Sequence, residues 1–277
     1  MSYLGYLIPI ALVIIFFSIM YLIAEAKHNY GLIDIGWGLS FVINAWATLV
    51  VSSLIRGAFP SIPAIVVAIS VTIWGFRLAY YIFKRNWGKP EDYRYVKMRN
   101  NLADKKFPKL TAYLKIFMSQ ALLSIVVSAA ILVTINNVPY ANSGLVYGLT
   151  IAGGALWLVG FFFESVGDAQ LRRFIANPAN RGKIMDRGLW GLTRHPNYFG
   201  ESLMWFGISV VSLSVTYGYL GFISYLVITF LLLFVSGVPL LEKAFLNRPG
   251  FAEYAQRVSI FIPWFPKKKV EKKTEEK

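Results

Sequence analysis

Seven long apolar stretches, at residues 3–24, 31–54, 61–83, 112–135, 145–165, 198–215 and 218–240, constrain this chain more than any other feature. A helix needs about 20 apolar residues to cross hydrocarbon, and only segments that satisfy their own backbone hydrogen bonds are stable there. The stretches therefore predict an all-α integral membrane protein with seven transmembrane helices. Charge usage agrees: 15% of the 277 residues are charged, against about 25% in soluble domains. The first stretch has neither a basic leader nor a small-residue cleavage site, so it reads as a retained helix. Gly218 and Tyr219 leave only a tight turn between the last two.

Basic residues supply an orientation. Segments 25–30, 84–111, 166–197 and 241–277 fall on one side of a seven-helix arrangement and hold 25 of the 28 Lys and Arg. The loops on the other side offer Arg56 alone. Loops rich in Lys and Arg stay cytoplasmic, so the expectation is N-terminus out and C-terminus in. The net charge of +14 then follows from topology and anionic lipid, and no nucleic-acid partner is expected. The chain has no cysteine, which excludes disulfides, thiolate metal sites and cysteine nucleophiles. Its two histidines, His28 and His195, are far apart, and no metal site is expected. There is no internal repeat; residues 1–266 read as one domain and 267–277 as a basic, disordered, lipid-facing tail. No obligate protein partner is evident.

Polar groups at membrane depth cost free energy and mark sites of function, and residues 186–201 hold the densest set. Proline is favoured in a helix's first turn, so Pro196 reads as a helix start. From there Asn197 and Glu201 share one face, four residues apart. Glu164, Asp168 and Arg172 recur every four residues, either as a solvated helix end with a salt bridge or as a face turned to a ligand. Arg172, Arg173, Arg181, Lys183, Arg187 and Arg194 lie in one loop, interleaved with Asn177, Asn180 and Trp190. Topology alone explains such charge, yet these groups also suit phosphate, ribose and a ring. A turn signal at 88–90 precedes a short helix, and a helix carrying Glu242 leaves the membrane toward an amphipathic stretch ending at Phe261-Ile-Pro-Trp264. The composite is a cytoplasm-facing pocket suited to a large anionic cofactor. Gly36-Trp-Gly38 lacks the third glycine of a dinucleotide fingerprint, and no phosphate-loop pattern occurs.

Gly188-Leu-Trp190 followed by Arg194-His-Pro-Asn-Tyr-Phe-Gly-Glu201 resembles the C-terminal domain of the steroid 5α-reductase family, in its bacterial membrane branch catalogued as a domain of unknown function. Asp34-Ile-Gly-Trp37, Gly88-Lys-Pro-Glu-Asp-Tyr-Arg-Tyr95, Gly167-Asp-Ala-Gln-Leu171 and Glu253-Tyr254 extend the likeness, with the family core at about 110–266. The resemblance implies a membrane reductase that uses NADPH on the 4,5 double bond of a 3-oxo-Δ4-steroid, or a similar lipophilic enone entering from the bilayer. Hydride would go to the enone β-carbon while an acid polarises the carbonyl. Carried over by motif, Asp168, Arg172, Asn197 and Glu201 contact the cofactor, joined by Arg77 and Lys89. Glu164, Lys183, Trp190, Arg194, His195, Tyr198 and Glu242 complete the expected cofactor set.

The family's carbonyl-activating glutamate and tyrosine have no clean counterparts. Trp74 aligns with the tyrosine, Tyr80 and Tyr81 lie close by, and Asp34 or Glu25 stands for the glutamate. The catalytic candidates are thus Asp34, Glu25 and Tyr80. Sterol reductases and isoprenylcysteine carboxyl methyltransferases carry versions of the same motif, so an S-adenosylmethionine-dependent membrane methyltransferase is the rival reading. Those enzymes usually pair acids near the last helix, where Glu242 here precedes Lys243. A lipid-binding membrane protein without activity is the third. The expected location is a bacterial inner membrane, with the site facing the cytoplasm.

Overall fold

The computed structural model describes residues 3–86 and 88–267; Trp87 and nearly all of the basic tail, 268–277, lie outside the described residues. Among the described residues the regular structure is helical, with only two isolated β-bridges. Six helical stretches among the described residues are long and apolar enough to cross a membrane: Leu4–Ala26, Tyr30–Arg56, Ile62–Asn86, Pro108–Val127, Ser143–Ala176 and Gly218–Phe245. The chain is an α-helical integral membrane protein. The remaining expected span is helical over Pro196–Ser212, 17 residues, a little short of the roughly 20 that span hydrocarbon.

The described residues form two compact units, one from those up to Gly154 with Gly207–Val227, the other from Ala155–Phe206 with those from Ile228 onward. In the first unit α1 (Leu4–Ala26), α2 (Ile33–Arg56) and α3 (Ile62–Asn86) pack with α2 against both neighbours. Hydrocarbon gives helices no hydrophobic reason to associate, so small residues and polar contacts do the work. Gly38 and Gly75 meet so closely that a Cβ on either would lie 2.6 Å from the other's carbonyl oxygen. Buried hydroxyls add a seam: Ser40 Oγ lies 2.7 Å from Ser124 Oγ, and Ser52 Oγ donates to the Ile135 carbonyl at 3.2 Å.

The charge-rich sequence after α3 forms α4 (Tyr93–Leu102), capped by Asp92, whose side chain accepts from Arg94 N. The stretch expected as one helix over 112–135 is interrupted. It comprises α5 (Pro108–Ala112), a π-turn at Tyr113–Met118, α6 (Ser119–Val127) and α7 (Ala129–Asn136). At the break Ser128 Oγ donates back to the Ser124 carbonyl at 2.8 Å, a bond that bends helices. Ser224 Oγ takes up the freed Ala130 N–H at 2.8 Å.

The second unit takes in α8 (Ser143–Ala176) from Ala155 onward; the full helix, at 34 residues, runs about 51 Å, well beyond the roughly 30 Å of a hydrocarbon core. The loop after it leads into α9 (Pro196–Ser212), and the chain returns through α10 (Phe222–Phe230), a π-stretch at Leu231–Val235, α11 (Val238–Phe245) and α12 (Phe251–Arg257). Helices α8 and α9 touch backbone to backbone, because a Cβ on Gly200 would lie 2.5 Å from both Glu164 N and the Gly160 carbonyl oxygen. Gly200→Val must therefore push them apart. Overpacking of this kind costs about 1–3 kcal/mol, and the variant is expected to show a lower thermal midpoint in detergent. Gly148→Ala, whose Cβ meets nothing within 4 Å, is expected not to lower it.

Candidate functional site

The loop between α8 and α9 is tied down at almost every turn. Asn177 Oδ1 accepts from Ala179 N, and Asn180 Nδ2 donates to the Phe174 carbonyl, each at 3.0 Å, which turns the chain off the end of α8. Gly188 adopts φ +61° beneath Gln170, where a side chain would be strained and would displace the Gln170 amide, and Gln170 Oε1 accepts from Leu189 N at 3.0 Å. Trp190 then wedges in: its indole N–H donates to the Gly167 carbonyl at 3.0 Å, and its own carbonyl accepts from the Tyr254 hydroxyl at 2.7 Å.

These elements enclose a cavity of about 420 Å³, within the range of small-molecule sites. Its apolar wall comes from Phe174, Trp190, Phe245, Phe251 and Tyr254; its charged groups are Arg181, Lys183, Arg194, Arg248 and Glu242. The Arg248 guanidinium lies 4.4 Å above the Phe245 ring. Glu242 Oε1 lies 3.0 Å from His195 Nε2 and 3.1 Å from Arg194 Nε, the latter an ion pair without hydrogen-bond alignment. Burial holds the His195 pKa below its ordinary value, and the Glu242 hydrogen bond offsets this only in part. A neutral imidazole facing a carboxylate must carry its proton on Nε2, which leaves Nδ1 an acceptor. That Nδ1 is buried and has no partner among the described residues. The ring stacks on Tyr198, centroids 5.5 Å apart.

Beside this cavity, Asn197 Nδ2 donates to Asp168 Oδ1 at 3.2 Å, and Asn197 Oδ1 is a second buried acceptor with no partner among the described residues. Glu164 and Asp168 are both buried, and Glu201 is half-buried. Of the expected cofactor residues, Lys183, Trp190, Arg194, His195 and Glu242 all line the cavity. Arg172 is exposed and is not among the lining residues. Sequence reasoning missed Phe245, Arg248, Phe251 and Tyr254 as lining groups. An arginine amid aromatics just past the last apolar stretch was the available signal.

The catalytic candidates lie in the first unit. Glu25 accepts from the Tyr30 hydroxyl at 2.8 Å and pairs with Lys109 at 2.9 Å. Asp34 accepts from the Tyr95 hydroxyl and pairs with Arg94 at 3.4 Å. Tyr80, by contrast, is 64% exposed with the Lys84 ammonium over its ring, so the phenol that Asp34 holds is Tyr95. Tyr95 is 6% exposed and also receives a hydrogen bond from Gln120 Nε2 at 3.4 Å. Burial and the Asp34 charge raise its pKa, keeping it a proton donor. Arg77 sits 5.7 Å from the Tyr81 ring, and Lys89 is exposed.

Residues 20–258 match the family described as "Protein of unknown function (DUF1295)". The chain belongs to this membrane-associated family. It is also similar to a probable O-methyltransferase, ustE, of Ustilaginoidea virens, 35% identical over 66 residues, which are 24% of this chain and 23% of that protein. The chain thus matches less than a quarter of that relative's length. No solved structure matches it.

The buried imidazole makes stability depend on pH in a stated direction. The folded His195 pKa lies below the unfolded value of about 6.5, so on acidification the unfolded chain binds its proton first and stability falls below that pH. Wild-type protein is expected to lose more thermal stability between pH 7.5 and 5.5 than His195→Gln. Equal losses would mean that His195 is not the group responsible.

Proposed function

We propose that this protein is a membrane reductase that uses NADPH to saturate a lipophilic enone, with the nucleotide part of the cofactor in the cavity of the second unit. The observation that carries the reading is the cavity's charge. Arg181, Lys183, Arg194 and Arg248 face a single carboxylate, Glu242, among the described lining residues. A pyrophosphate and a 2′-phosphate need that cationic excess, and guanidinium groups bind phosphate bidentately. The Phe245, Phe251 and Tyr254 wall with Arg248 over Phe245 suits a stacked purine. His195 Nδ1 offers an acceptor for an amine or hydroxyl of the ligand, and Asn197 Oδ1 one for a carboxamide N–H. Bound NADPH supplies a hydride. The role of Asn197, Asp168 and Glu201 is to orient the end that carries it.

A second reading, S-adenosylmethionine-dependent methylation, is favoured by the likeness to a probable O-methyltransferase. That cofactor shares the adenine but carries a sulfonium cation and a single carboxylate, which leaves most of the cavity's positive charge unopposed. In either reading α9 makes a seventh crossing, which leaves the N-terminus of the chain out and its C-terminus in, and the cavity faces the cytoplasm of a bacterial inner membrane.

Two measurements test these proposals. In nanodiscs the protein is expected to bind NADPH in preference to S-adenosylmethionine. Each charge-assisted hydrogen bond contributes about 1.5–3 kcal/mol, so Arg181→Ala or Lys183→Ala is expected to weaken NADPH binding about tenfold to a hundredfold. Binding of S-adenosylmethionine alone selects the methyltransferase; binding of neither rejects both. For topology, the cysteine-free chain allows clean labelling with an impermeant maleimide. Tyr3→Cys is expected to react from outside and Lys267→Cys only from the cytoplasm. Labelling from the same side means an even number of crossings and sinks the seven-helix arrangement.

A further inference from the structure

We propose that residues 258–267 form a membrane-interface anchor, an apolar edge embedded in an anionic lipid surface that holds the loop ahead of His195 at a fixed depth. After α12 the chain does not trail away. It runs alongside residues 192–194, with a parallel bridge between Thr193 and Ser259. Arg194 N donates to the Ser259 carbonyl at 2.8 Å, Thr193 Oγ to the Phe261 carbonyl at 2.8 Å, and Trp264 N to the Leu192 carbonyl at 2.9 Å. Lys267 N closes the segment onto the Arg257 carbonyl at 3.0 Å. Phe261 points inward, its ring 6.0 Å from that of Phe199.

With Phe261 turned inward, its neighbours on either side are left facing outward. Ile260, Ile262, Trp264 and Phe265 are 46%, 65%, 72% and 82% exposed. Four large apolar side chains within six positions cannot fold away, because the backbone that carries them is already bonded to the 192–194 loop. Facing water, such a patch is rare. In a membrane protein its natural surroundings are the headgroup boundary, where tryptophan is enriched and apolar faces bury shallowly. The charge that follows selects the lipid: Lys267 is exposed, and the sequence continues with Lys268 and Lys269, a cluster drawn to anionic headgroups. A lipid surface satisfies both the apolar edge and the basic run.

The bonds end on Leu192, Thr193 and Arg194, the three residues before His195. Burying the edge therefore fixes where the rim of the cavity stands relative to the bilayer, whatever ligand the cavity takes. Ile262→Cys and Phe265→Cys in the full chain, labelled with an environment-sensitive fluorophore, test this in nanodiscs containing phosphatidylglycerol. The expected result is a blue-shifted emission, quenched several times more strongly by a nitroxide-headgroup lipid than by aqueous iodide. In nanodiscs of phosphatidylcholine alone the balance is expected to move toward iodide. Strong iodide quenching at both positions with none from the lipid probe would overturn the proposal. So would protection from both quenchers in native membranes, which would assign the edge to a protein partner. Using two positions keeps the outcome decisive if one substitution fails to fold.

Discussion

The second unit depends on the contact of α8 with α9 at Gly160 and Gly200. Residues 160, 164, 167, 168 and 171 of α8 recur at helical spacing and share one face. At Gly160 and Glu164 that face meets the backbone of Gly200. At Gly167 it meets Pro196 and accepts the Trp190 indole N–H, and at Asp168 it accepts from Asn197. By Leu171 the same face has become the wall of the cavity. One close helix crossing thus sets the entry angle of α9, the seat of the tryptophan and the position of the buried acid. Side chains at 160 or 200 would separate all of these together.

Electrostatics divides the cavity from that face. Glu242 is shared between Arg194 and His195, and an acid so balanced neither repels phosphate nor offers a free negative charge to a cationic ligand. Where the methyltransferase pattern has a second acid, this chain has Lys243. The neutral state of His195 belongs to the same arrangement: burial removes its charge, and the Glu242 carboxylate decides which nitrogen keeps the proton.

The apolar periodicity made most of the fold legible, because hydrocarbon-spanning helices announce themselves locally. It failed where structure depends on partners distant in sequence. The stretch over 112–135 reads as one helix, yet it breaks at Ser128 because Ser224 stands ready to take the Ala130 N–H. The apolar stretch over 145–165 ends well before α8 does at Ala176; only the four-residue spacing of Glu164, Asp168 and Arg172 signals that the helix goes on. The same limit governs the site. Arg194, His195 and Trp190 stood out within one dense motif, whereas Phe245 and Tyr254 arrive from a segment about 50 residues away. Asp34 was a candidate by resemblance alone; the phenol that it holds, Tyr95, is 61 residues distant, whereas the alignment at Trp74 offered Tyr80.

The length of α8 carries one more consequence. Its apolar portion ends where Glu164 and Asp168 begin, and the helix then runs on unbroken for more than two turns. A rigid rod of this kind couples the buried acids to the thickness of the surrounding bilayer. Membranes differ by several ångströms in hydrocarbon thickness, and a helix answers such mismatch by tilting or by bending the lipid around it. The depth of Glu164 and Asp168, and of the Asn197 amide that donates to Asp168, is therefore a property that lipid composition can tune without any ligand touching the protein.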